Sequence, residues 1–373
     1  MQEQFDLVFW QNAPSIHQAP LMRALTSNLS KRVLVVVPEA VSHRRRAMGW
    51  GEIDYGGAKI LVERSPDARL EIVEATRNAA AHIFSGLGAH PEITQLMMAL
   101  ARGHHNHIAV ITEPWDPRGN LGRLRALRFR LQRLRLPKVD TLFACGRLAA
   151  QQFVSIGTER STVAPFGYFV DGAVGALSPR RDDDHNFIFV GTFTDRKDPE
   201  TLLRALALTS LTGWKLTMIG DGPLRARSID LAKDLNLDQR VTFVRSMTND
   251  AVLNSIASSD ALILPSKYDG WGAVVSEALM AGTPVILTRE CGASDLVRSG
   301  LQGSIFEASQ PAQLAEALSK LLRAGPATIE DRIHLRDWAE ATISPRVAAQ
   351  YLWENVTRSQ KSPTSPAPWR ASP

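Results

Sequence analysis

Cysteine is nearly absent: Cys145 and Cys291 are the two in 373 residues, too few for a disulfide framework, so a reducing cytoplasm is the expected compartment. Long apolar runs are missing as well. Nowhere do roughly 18 apolar residues follow one another, which argues against a membrane-spanning helix, and the opening MQEQFDLVFW has no basic stretch leading into an apolar core, so no signal peptide is expected. The turn Gly103-His104-His105-Asn106-His107 invites a metal, but it lacks the spaced ligand pairs of a structural zinc site and has no local Cys or acid. IGDGPLR, at 219–225, lacks the third glycine of G-x-G-x-x-G and does not open the chain's first unit, so a nicotinamide dinucleotide is not expected.

What is present describes a soluble α/β protein. With 44% hydrophobic and 22% charged residues the composition is that of a globular chain, and 373 residues suit two domains better than one core. Short apolar runs alternate with helical periodicity. Strands are expected at 5–10, 33–38, 81–85, 107–112, 141–145 and 161–166, and again at 187–191, 215–220, 241–245, 261–264, 284–288 and 303–306. Helices separate nearly all of them, the pattern of parallel sheets. SPRRDDDH, at 178–185, reads as a polar linker, which divides the chain into domains at 1–175 and 176–343. A helix follows at 344–358, and 359–373, rich in Pro and Ser, is expected to be disordered.

The chemistry gathers around residues 264–286, LPSKYDGWGAVVSEALMAGTPVI. A strand end runs into a loop in which Gly270 and Gly272 let the backbone come close to a ligand. A helix then begins at Ala273, and its free N–H groups near Gly272, Ala273 and Val274, with the positive end of the macrodipole, make an anion site. Asp269 and Glu277 bracket the glycines with seven residues between them. Carboxylates repel phosphate, so they are read as acceptors for hydroxyls beside it. The second constellation is FVGTFTDRKDPETLL, where Arg196 and Lys197 precede a helix and can neutralise a diphosphate through charge-assisted hydrogen bonds. A surface ion pair of Lys197 with Asp195 or Asp198 is the plainer reading.

PSKYDGWGAVVSEALMAGTPV resembles the acidic-x7-acidic signature of the retaining family 4 glycosyltransferases, PS-x-x-(E)-G-(F/W)-G-x-x-x-x-EA-x-A-x-G-x-PV, with Asp269 where the first acid is usually Glu. The resemblance implies a GT-B fold, two Rossmann-like parallel-sheet domains facing across a cleft, with the helix at 344–358 crossing back to the first. It implies a hexosyltransferase-type enzyme that moves a sugar from a UDP- or GDP-sugar to a hydroxyl of a glycan or lipid-linked acceptor, in bacterial cell-surface or exopolysaccharide synthesis. Lys197 and Arg196 would stabilise the leaving diphosphate, since Thr192 stands where the family often has Arg. Glu277 would hold the ribose, Asp269 the sugar, Gly220 the nucleotide end and Met247 the base, with Gly270, Trp271, Gly272, Ala273 and Val274 completing the donor pocket. Same-face attack, with the phosphate taking the acceptor proton, is the mechanism implied. No D-x-D-type pair argues for a metal, and no cofactor is expected.

On the first domain, His17 lies in the loop after the first strand, either bonded to a nearby carbonyl or facing the ligand. Glu113 occupies the position where many members of the resembled family have a His that touches the donor sugar, and could serve as a base or hydroxyl acceptor. The loop at 42–57 reads as a mobile acceptor-facing excursion or as plain surface. Residues 118–138, RGNLGRLRALRFRLQRLRLPK, carry Leu121, Leu124, Leu127, Leu131 and Leu134 at helical spacing among arginines. Either the helix packs on its domain with a solvated basic face, or it rests on anionic lipid, a cytoplasmic protein peripheral to the inner face of the membrane. Nucleic acid is not expected, because no aromatic platform is interleaved. Two other functions compete: a GT-B nucleotide-sugar-binding protein without turnover, and a sugar-nucleotide epimerase.

Overall fold

The computed structural model describes residues 4–41, 52–88, 90–102, 107–172, 184–209, 212–359 and 362–370. The loop expected at 42–57 lies outside the described residues up to 51, as do 103–106 of the histidine turn and 178–183 of the linker. The chain divides into two compact units, Met1–Val170 with Pro345–Pro373, and Asp171–Ser344.

In the first unit seven parallel strands form one sheet: β1 (Leu7–Trp10), β2 (Val33–Val37), β3 (Lys59–Val62), β4 (Ala81–Ser85), β5 (His107–Thr112), β6 (Thr141–Cys145) and β7 (Val163–Phe166), in the spatial order β3-β2-β1-β4-β5-β6-β7. The inner strands read as continuous apolar runs, such as VLVVV in β2, because helices cover both faces. Leu7 of β1 pairs with Val33 on one side and Ala81 on the other. Helices α1 (Ala19–Ser27), α2 (Pro66–Ala75), α3 (Pro91–Ala101), α4 (Gly119–Arg133) and α5 (Gly146–Ser155) connect them. The sequence reading did not anticipate β3 and α2. β3 is an edge strand with Ile60 and Val62 exposed, so it shows neither a buried run nor an inward face.

The second unit repeats the arrangement. Strands β8 (His185–Val190), β9 (Trp214–Ile219), β10 (Val241–Val244), β11 (Ala261–Leu264), β12 (Val285–Thr288) and β13 (Gly303–Phe306) lie in the order β10-β9-β8-β11-β12-β13, all parallel. Helices α6 (Pro199–Leu208), α7 (Arg225–Asp234), α8 (Asn249–Ala257), α9 (Ala273–Met280), α10 (Pro311–Ala324) and α11 (Ile329–Ile343) accompany them. α12 (Pro345–Thr357) belongs to the first unit, where it packs on α1 and buries Ala348, Ala349 and Leu352.

One expectation is corrected here. The segment expected to be disordered is ordered over 362–370. Thr364 donates to the Ser161 and Val163 carbonyls at 3.2 and 3.0 Å, Ser365 N–H donates to Asn355 Oδ1 at 3.0 Å, and Trp369 is buried against Phe169. One aromatic ring with a pocket to fill outweighs the Pro and Ser around it. For α4 the sequence leaves two readings open, and its leucines do not face the domain. Gly122, Ala126 and Phe129 face inward, while Leu121, Leu124, Leu127, Leu131 and Leu134 are 55–82% exposed. His107, the one residue of the histidine turn within reach, opens β5 and bonds to Thr141 Oγ1 at 2.9 Å. Burial holds its pKa down at about 4, a neutral core imidazole.

Candidate functional site

In each sheet the first and fourth strands are neighbours although two others lie between them in sequence: β1 beside β4, β8 beside β11. The connections leave such a pair in opposite directions and open a crevice at the carboxyl ends of the strands. Both candidate sites lie on the loops that follow these strands.

In the second unit the loop after β8 meets the loop after β11. Lys197 Nζ donates to Asp269 Oδ2, 72 residues along the chain, and both side chains are buried. Arg196 Nη1 stands 3.2 Å from the other carboxylate oxygen and donates to the Tyr268 carbonyl at 3.2 Å. Its side chain is 39% exposed, which leaves a guanidinium edge toward solvent. The plainer reading of Lys197 is thereby excluded, for it is Lys267 that pairs with Asp195, at 2.6 Å. Asp269 is held from the turn after β12: its N–H donates to the Glu290 carbonyl at 3.2 Å, and its carbonyl accepts from Gly292 N–H at 3.1 Å.

Gly272 sits at φ +88 immediately before α9. A Cβ there would stand 2.8 Å from Cys291 Sγ and 3.1 Å from Leu264 Cδ2, so glycine is needed for the turn and for packing on the strand beneath. Trp271 does not line a pocket with its ring. It is 1% exposed, and its Nε1 donates to Ser276 Oγ at 3.0 Å, so the indole anchors the loop from below. Ala273 and Val274 are half-buried in the first turn of α9, where N–H groups have no partner within the helix. Glu277 is buried one turn further on, and burial pushes its pKa up to about 7.

Of the remaining donor-side residues, Thr192 is exposed on the same loop as Lys197. Gly220 is set behind that loop: a Cβ on it would fall 2.0 Å from the Gly191 carbonyl, so its hydrogen is what allows the two turns to touch. Met247 follows edge strand β10, two strands from β8, and among the described residues no hydrogen bond ties it to Lys197 or Asp269.

In the first unit the loops after β1, β4 and β5 surround a cavity of about 550 Å³. Asn12, Ser15, Gln18 and Glu113 line it, as does Tyr168, which sequence reasoning missed because it lies in the passage between the units. The Tyr168 hydroxyl donates to Glu113 Oε1, and the His17 ring leans on Tyr168 with centroids 5.7 Å apart. Glu113 and His17 therefore share one partner.

Residues 177–341 match the family described as Glycosyl transferases group 1. A D-inositol 3-phosphate glycosyltransferase of Mycobacterium tuberculosis is 30% identical over 187 residues, 47% of this chain and 36% of that protein. An uncharacterized glycosyltransferase of Methanocaldococcus jannaschii is 26% identical over 179 residues, 48% of this chain and 44% of that protein. The chain thus matches less than half the length of these curated relatives. Among solved structures, Anabaena HepE in complex with UDP superposes with a TM-score of 0.71 at 13% identity, covering 94% of this chain and 99% of that one. The lipopolysaccharide outer core galactosyltransferase WaaB gives 0.69 at 13% identity, with 94% and 98% covered. The fold is of the GT-B type, two Rossmann-like parallel-sheet domains. The match to the group 1 glycosyl transferases lies within the second unit.

Proposed function

We propose that the protein transfers a sugar from a nucleoside diphosphate to a hydroxyl acceptor with retention of configuration, in bacterial surface glycan synthesis. The observation that carries this reading is the meeting of Lys197, Arg196 and Asp269 beside the start of α9. Two cations and a helix N-terminus at one point suit a departing diphosphate, whose charge grows as the glycosidic bond breaks, and they supply it without a metal. Asp269 would orient Lys197 and accept from a sugar hydroxyl, and Glu277 would accept from the ribose. Attack from the same face, with the phosphate taking the acceptor proton, needs no protein nucleophile beneath the sugar. Glu113, Tyr168 and His17 would bind the acceptor. Uridine is the favoured base, since HepE, solved with UDP and with UDP-glucose, shares the fold.

The test is a melting screen with UDP-, GDP- and dTDP-sugars followed by donor hydrolysis. A ligand at 100 times its Kd stabilises by about 2.7 kcal/mol, a rise of about 5–11 °C at about 2–4 °C per kcal/mol for units of this size. UDP-sugars should give that rise and slowly release UDP. Absence of both with every donor would refute the transferase.

Membrane attachment is part of the same proposal. Among the described residues no helix is long and apolar enough to cross a bilayer. α4 instead presents four exposed leucines, with Leu134 at its C-cap, beside Arg123 and Arg130, the composition of an interfacial helix. Flotation with vesicles containing phosphatidylglycerol should carry the protein upward, and Leu124→Ser with Leu127→Ser should leave it at the bottom. Equal flotation of the variant, or of wild type with neutral vesicles, would reject the attachment.

A further inference from the structure

The cavity of the first unit has a charge balance that hydroxyl recognition alone does not use. Two acids and two arginines line it: Glu113, Asp116, Arg125 and Arg128. Asp116 is already occupied, because Arg118 Nε and Nη2 donate to its two oxygens at 3.0 and 2.9 Å and hold its pKa below the usual value. Glu113 accepts from Tyr168. Arg125 uses one N–H on the Asp116 carbonyl at 3.1 Å, and among the described residues Arg128 forms no ion pair. A guanidinium carries five N–H donors. One wall of the cavity therefore offers open guanidinium edges. The lining also includes neutral groups, Asn12, Ser15 and Gln18.

We infer that the cavity takes a polyhydroxylated ligand bearing a phosphate ester, the phosphate held by Arg125 and Arg128 and a hydroxyl by Glu113. Planar guanidinium groups match phosphate oxygens in pairs, and about 550 Å³ lies within the usual range for ligand pockets. Resting on the transferase reading, this names the acceptor class: a phosphorylated sugar or polyol. The phosphate could belong to a soluble sugar phosphate or to a lipid headgroup, and α4 suits both, since the helix that lends Arg125 and Arg128 to the cavity shows its leucines to the outside.

The experiment is calorimetric titration of the full chain with glucose 6-phosphate, glucose and inorganic phosphate. Binding to phosphatidylglycerol vesicles serves as the lipid arm, and the UDP melting shift is measured in parallel. Glucose 6-phosphate should bind at least about tenfold more tightly than glucose, the margin expected of a charge-assisted pair. Arg125→Gln with Arg128→Gln should abolish that margin, and Arg64→Gln with Arg102→Gln, an equal change of charge at exposed sites outside both α4 and the cavity lining, should keep it. If the soluble probes are silent and vesicle binding falls only in the Arg125/Arg128 variant, the phosphate is a headgroup and the inference stands. Equal affinity for glucose and glucose 6-phosphate with vesicle binding indifferent to Arg125 and Arg128, or equal losses in both variants, overturns it. A UDP shift beside such a failure leaves the transferase reading intact, and its absence removes that reading alone.

Discussion

Replacing Lys197 with alanine is expected to lower donor turnover by about 10²–10³-fold, the usual loss when one charge-stabilising donor is removed from a reacting centre. It should also destabilise the protein, because Asp269 is buried and would keep Arg196 as its one cation. The two effects separate in the double variant. Asp269→Asn added to Lys197→Ala removes the unmatched carboxylate, so melting temperature should recover toward wild type while turnover stays low. A pair serving structure alone predicts the opposite for the single variant, loss of stability with turnover per folded molecule preserved. Melting curves and UDP release on the same samples decide between them.

The second large effect concerns Glu277. Its pKa in the folded protein, about 7, lies above its ordinary 4.5 because burial disfavours the carboxylate. The folded state therefore holds the proton more tightly than the unfolded chain. The stability this contributes is complete below 4.5 and is lost as pH rises through about 7, an amount of roughly 3 kcal/mol at most by the pKa difference. Glu277→Gln keeps the volume and cannot titrate, so its stability should change less between pH 5 and pH 8 than wild type. Denaturant unfolding at the two values checks this, and parallel losses in both proteins would reject it. Nucleotide binding should behave inversely. A charged carboxylate accepts from two ribose hydroxyls, so wild-type affinity for UDP should rise through pH 7, while the glutamine variant stays flat and weaker by about 10–100-fold, the worth of hydrogen bonds to a charged group. Titrations at pH 6 and pH 8 measure it.

These residues were legible because their chemistry is local. The loop and helix start at 264–286 are written in contiguous glycines, acids and small apolar residues, and the central strands are long enough in apolar residues to announce themselves. Pairing across the chain was not legible. That Lys197 lies on Asp269, and that Glu113 and His17 meet at Tyr168, depends on which strands are neighbours. The leucines of α4 show the same limit from another side. Periodicity says that five leucines share a stripe, and is silent on whether the stripe faces the core. The tail misled for a related reason, since composition averages over a segment and Trp369 acts alone.

The placement of α12 and Trp369 bears on how the molecule is made. The first unit is discontinuous, its sheet encoded before the second unit and its last helix after it. On the ribosome, which delivers residues in order, Asp171–Ser344 is a complete folding unit as soon as it emerges. The earlier-born sheet must wait for some 30 later residues before α1 gains its covering helix and Phe169 its tryptophan. The second unit is thus positioned to mature first, although it is synthesised later.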